Sequence, residues 1–154
     1  EIRGEWNRAL GQYREVDDQE TDPKYPDLLN RVGYCYLNME DPARALEMFN
    51  EAVRIQPEHP DYLFNRGHCF GAMGEFADAL TDFEHVVRLD PGDAEALALA
   101  ALYLFYEGDR QQALARVEKA LEMWPDNPEI IDIREEILAD EPPPPAPEHD
   151  EEEE

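Results

Sequence analysis

The chain has 154 residues, 42% hydrophobic and 10% aromatic, which suits one folded domain with a sizeable core. Its 38 acidic residues outweigh 13 Lys and Arg, a net charge of −25; such a surface repels a phosphate backbone or an anionic bilayer, so neither is expected as a partner. The most apolar stretch, Ala96–Tyr106, runs for eleven residues, short of the ~20 needed to span a membrane.

In chain order, the first expected element covers residues 1–20, where "WNRALGQYREV" sets Ala9, Tyr13 and Val16 at helical spacing. Three helical hairpins follow, over 26–59, 60–93 and 94–127. The turn signals "MEDP", "MGEF" and "EGDR" divide each into two helices. "ALEMFNEAV" and "ALTDFEHVV" place Ala, Phe and Ala or Val on one helical face. Residues 128–140, "PEIIDIREEILAD", turn polar on one side while Ile130, Ile131, Ile133, Ile137 and Leu138 remain, as a closing helix requires. The remainder, 141–154, is Pro-rich and then acidic, and is expected to be disordered or polyproline-like. Residues 140–154 hold eight acidic charges; removing these from −25 leaves −17, so the body is acidic as well. Nothing reads as a strand, and the fold class is all-α. There is no signal-peptide pattern at the start; because the sequence does not begin with Met, further residues are expected upstream.

The three hairpins keep a strict 34-residue period. It relates Pro57, Pro91 and Pro125; Ala45, Ala79 and Ala113; Phe49, Phe83 and Val117; Gly33, Gly67 and Ala101; and Tyr36, Phe70 and Leu104. The pattern resembles the tetratricopeptide repeat (TPR) family over roughly residues 26–127. That resemblance implies a right-handed superhelix of three hairpins, with an N-terminal helix left from a preceding unit and a C-terminal capping helix. Leu29, Leu63 and Leu97 stand where the family has Trp, Glu40 stands where Gly74 and Gly108 fill the turn, and Arg66 takes an apolar core position.

Little in the sequence suggests chemistry. His59, His68, His85 and His149 have no metal-ligand spacing, and no phosphate loop or calcium loop appears. No cofactor and no enzymatic activity are therefore expected. Cys35 and Cys69 are equivalent positions one repeat apart, about one helix spacing and too far for a disulfide. They read as packing thiols, and free thiols suit a reducing, cytoplasmic setting.

The resemblance implies that the first helix of each unit lines a concave, peptide-binding groove. Carried over by position, its residues are Asp27, Asn30, Tyr34, Leu37 and Asn38; then Asp61, Phe64, Asn65, His68 and Ala72; then Glu95, Ala98, Leu99, Leu102, Phe105 and Tyr106. A subgroup of the family grips acidic C-terminal peptides with a Lys–Asn–Asn–Lys–Arg clamp. Asn30, Tyr34, Asn65, Glu95 and Leu99 occupy the corresponding positions, and only Asn65 matches. Asp61 and Glu95 would moreover repel such a ligand. In the apolar stretch, Leu97, Ala100, Ala101 and Leu104 are assigned to the hairpin core, and Ala98, Leu102, Phe105 and Tyr106 to the groove. The alternative is that Leu102, Phe105 and Tyr106 touch neighbouring helices or the N-terminal helix.

The functional expectation is a scaffold or adaptor that binds a protein or peptide with apolar anchors and Lys or Arg flanks. Burial of the apolar patch in a homodimer, or by the segment "PPPPAP", are other occupancies. A second reading is a chaperone like those of bacterial type III secretion, which resemble this chain in repeat number and in "GHCFGAMGEFADAL", and which hold apolar cargo.

Overall fold

The computed structural model describes residues 25–139 together with Arg8 and Gly11. The helix expected over 1–20 lies outside the described residues except at those two positions, which are helical, and the segment 141–154 lies outside them entirely. The described residues form seven helices: α1 Tyr25–Asn38, α2 Pro42–Ile55, α3 Pro60–Met73, α4 Phe76–Leu89, α5 Ala94–Tyr106, α6 Arg110–Met123 and α7 Pro128–Ala139. No strand occurs among them.

Helix ends follow from local chemistry that recurs with the repeat. Asp41, Asp93 and Asp109 each precede a helix and accept a bond from the backbone N–H three residues on, at Arg44, Ala96 and Gln112. Asn127 does the same for α7, accepting from the N–H groups of Glu129 and Ile130. α2, α3 and α7 open on proline, which has no N–H to leave unpaired. The turn inside each hairpin is closed by one backbone bond, from Asp41 to Tyr36 (3.0 Å), Glu75 to Phe70 (2.9 Å) and Asp109 to Leu104 (3.1 Å). That closure puts the preceding residue in the left-handed region: Gly74 at φ 77° and Gly108 at φ 98°, but Glu40 at φ 60° in the first unit.

The columns of the 34-residue period are the core. A Cβ built on Gly33 would lie 2.7 Å from the Phe49 ring, and one on Gly67 2.9 Å from the Phe83 ring. Each glycine is therefore the slot into which the large residue of the partner helix fits. The third unit reaches the same fit with Ala101 against Val117, both fully buried. A further slot joins two units: Gly71 of α3 receives Tyr103 of α5, whose hydroxyl would be 1.9 Å from an added Cβ. Cys35 and Cys69 are buried and free. Cys69 donates to the Pro42 carbonyl at 3.2 Å; burial, then the Glu75 charge, push its thiol up to about 11.

Arg66 is half-buried, and its guanidinium donates two bonds of 2.7 Å to Asp82 on α4 and one of 3.1 Å to Asn50 on α2. Asp82 is 3% exposed. The polar intruder in this core position thus has a polar partner in the facing helix.

Each helix packs on its successor, and α1 also meets α3 while α5 meets α7. The odd-numbered helices thus form one layer of the superhelix and α2, α4 and α6 the other. α7 sets Ile130 and Ile137, both fully buried, and Ile133 onto α5 and α6. Arg110 fastens its last turn, donating to the carbonyls of Ile137 (2.9 Å) and Leu138 (2.8 Å). No helix among the described residues is long and apolar enough to cross a membrane.

Candidate functional site

The odd-numbered layer brings most of the sequence-predicted groove residues together, in two adjoining depressions. The first, between α1 and α3, has a volume of about 460 Å³ and is lined by Tyr34, Leu37, Asn38, Asn65, His68 and Ala72. The second, of about 220 Å³ between α3 and α5, is lined by Pro60, Asp61, Phe64, Val86, Asp93 and Glu95. Phe64 and His68, one helical turn apart on α3, form the ridge between them, their rings 4.8 Å apart edge to face. Phe83 from α4 supports both rings from below, at 5.4 and 5.3 Å.

The first depression is neutral. The Asn65 amide donates to the Asn30 side chain at 3.0 Å, and the Asn38 amide donates to the Tyr34 carbonyl at 2.8 Å. These bonds hold the amides in place across α1 and α3, with Tyr34 47% exposed at the rim. Burial lowers the His68 pKa, with Glu129 pulling the other way, so the ring favours its neutral form.

The second depression is acidic. Glu95 has its pKa raised by burial, then by the charges of Glu129 and Asp93. A carboxylate in that position gains from a cation brought beside it. Asp93 is already engaged as the cap of α5 through the Ala96 N–H (2.9 Å), which leaves Asp61 and Glu95 as the outward-facing acids. Asp27, Asp61, Glu95 and Glu129 are one column of the repeat, each in the first turn of an odd-numbered helix, where a negative charge also suits the helix dipole. Asp27 accepts the Tyr62 hydroxyl.

At the apolar end Phe105 and Tyr106 follow the alternative of contact with a neighbouring helix, and Ala98 departs from its groove assignment. Ala98 is fully buried, in one core with Ile130 and Ile137, and Phe105 packs against the same core. α7 covers that face of α5, so neither side chain lines a depression. Leu102 is half-buried and Tyr106 is 40% exposed, and both lie outside the two depressions. The Tyr106 hydroxyl donates to Glu136 of α7; burial and that bond push its pKa up to about 12. Sequence reasoning missed Pro60, Val86 and Asp93 as lining residues, and Glu129 as a charge felt by His68 and Glu95. Glu129 was within reach, standing 34 residues after Glu95. No group of three His, Cys, Asp or Glu among the described residues could hold a metal ion.

Two tetratricopeptide-repeat family models match the chain, one over residues 32–104 and another over 3–60 and 99–130. No curated protein matches. Among solved structures, YrrB, described as a TPR protein with an unusual peptide-binding site, aligns with a TM-score of 0.75 at 24% identity, covering 87% of this chain and 68% of its own. A double mutant of MamA RS-1 aligns at 0.79 with 23% identity, covering 89% of this chain and 76% of its own. The first TPR domain of Spaghetti (RPAP3), bound to the HSP90 peptide SRMEEVD, aligns at 0.71 with 21% identity, covering 77% and 94%.

Proposed function

The chain belongs to the tetratricopeptide-repeat family, and from that premise we propose that it is a non-enzymatic adaptor whose odd-numbered helices capture a partner peptide with apolar anchors flanked by Lys or Arg. The observation that carries this reading is the junction of the two depressions at Phe64 and His68. An apolar or aromatic ligand side chain fits the neutral depression between Tyr34 and His68, where rigid aromatic walls bury area at small entropic cost. A neighbouring Lys or Arg then reaches Asp61 and Glu95 across the Phe64 ring, gaining charge pairing and a cation–π contact.

An acidic peptide like the one bound to Spaghetti (RPAP3) suits this groove poorly. It would meet Asp61 and Glu95, with only Asn65 of the five clamp positions matching. The loss of Ala98 and Phe105 to the core also removes apolar surface that a chaperone for long greasy cargo would need, which favours the adaptor.

The test is fluorescence anisotropy with a labelled peptide carrying Leu and Phe anchors and Lys flanks. Tyr34→Ala/His68→Ala and Asp61→Asn/Glu95→Gln should each weaken binding about tenfold or more, roughly 1.4 kcal/mol, and only the second should flatten its salt dependence. Equal affinity for wild type and both variants rejects the groove. Glu95→Gln should also raise stability at neutral pH, because it removes a carboxylate whose charge the fold disfavours.

A further inference from the structure

On the opposite layer, α4, α5 and α6 enclose a cleft of about 390 Å³ with Val87, Leu97 and Ala100 as its apolar floor. Its rim carries Arg88, Arg116 and Lys119 against a single acid, Glu84. In a chain of 38 acids and 13 Lys and Arg, three cations on one cleft reverse the local sign. Their pairing is also incomplete. Arg44, Arg54, Arg66 and Arg134 each face a carboxylate, and Arg116 binds Glu84 at 2.7 Å. Arg88 and Lys119 are exposed and make no hydrogen bond or ion pair among the described residues. The cleft therefore offers two unneutralised cations above an apolar floor, on the face that the groove does not use.

We propose that this cleft is the docking site of the chain's own residues 148–154, "EHDEEEE". The charge complement is direct: six carboxylates in seven residues meet a cleft rimmed by Arg88, Arg116 and Lys119. Attachment decides between this segment and an acidic peptide from elsewhere. A foreign anion must approach a body of strongly negative charge, whereas a tethered one is held nearby at an effective concentration in the millimolar range. The path is short enough. Arg110 pins the end of α7 beside the start of α6, and Lys119 lies nine residues further along α6, ~14 Å of axial rise and half-way round the helix. Residues 140–147 number eight, five of them proline, and at the polyproline rise a stretch of that length can reach ~25 Å.

The experiment places a nitroxide on His149→Cys in the full chain and reads paramagnetic broadening of backbone amide signals. Cys35 and Cys69 are buried and stay unlabelled. The proposal expects peak intensities around Arg88 and from Arg116 to Lys119 to fall at least twofold. Full recovery is expected in about 0.5 M NaCl and in Arg88→Glu/Lys119→Glu, with partial recovery in the milder Arg88→Gln/Lys119→Gln. Broadening centred on Tyr34 and His68 would assign the segment to the groove instead. Broadening of an unlabelled, isotope-enriched chain mixed with a spin-labelled one would mean docking between copies. Either result overturns the proposal, as does broadening confined to the last turn of α7.

Discussion

Arg66 and Asp82 show how a residue that breaks the repeat can still obey it. Their columns hold Val32 and Met48 in the first unit and Ala100 and Arg116 in the third, so the second unit has exchanged an apolar contact for an ion pair. Removing one partner leaves the other buried and uncompensated, while replacing both by apolar residues of fitting volume is close to neutral. Arg66→Val should therefore cost ~3 kcal/mol or more, and Arg66→Val/Asp82→Met should recover most of it, as read from urea unfolding midpoints. The same column comparison exposes Glu40, which holds φ 60° where Gly74 and Gly108 hold 77° and 98°. A side chain in that region carries a penalty of order 1 kcal/mol, so Glu40→Gly should raise stability by about that amount despite the entropy that glycine adds to the unfolded chain. A lowered urea midpoint would show that the Glu40 side chain contributes more than its backbone costs.

The element that most changes the picture of the site is α7. In isolation α5 reads as a helix with one core face and one groove face, because its sequence is apolar all round and the repeat accounts for only one side. α7 supplies the missing contact, placing Ile130 and Ile137 where a fourth unit would otherwise begin. Ile137 is fully buried, and Ile137→Ala should cost roughly 2–3 kcal/mol. Because the loss falls at the end of the stack, it should open α7 first. Hydrogen exchange should then quicken in α7 and at Tyr103–Tyr106 while α1–α3 keep their protection. Uniform acceleration along the whole chain would show instead that the units unfold as one. The same dependence explains what was legible. Positions defined by the period, such as Phe49, Phe83 and Gly67, could be read because the pattern repeats their environment. By sequence Ala98 falls to the groove and Phe105 stays open between groove and neighbouring helix, since their burial depends on a helix that occurs once. The Arg66 pairing lay between these cases, visible only if two departures 16 residues apart are read together.

At the scale of the whole molecule, tyrosine protons tie stability to alkaline pH. Burial and the bond to Glu136 raise Tyr106 from 10.0 to about 12, and burial together with Asp27 raises Tyr62 beyond that range. The folded chain therefore keeps protons that the unfolded chain releases near pH 10, so stability is fully present below pH 10 and falls as the pH rises toward 12. Urea midpoints measured from pH 9 to 11.5 should decline, and Tyr106→Phe should make the decline shallower; an unchanged slope would remove Tyr106 from the account. The Gly71–Tyr103 contact has a different kind of consequence, for how such a chain can grow. Tyr103 fits because the unit before it offers glycine at that place, whereas its own unit offers Phe105 there. Duplicating the third unit in tandem would drive a tyrosine into that phenylalanine, while duplicating the second would set a cysteine beside Gly71. The units look alike in sequence, yet their order is keyed: an extra copy can be spliced in after the second unit but not after the third.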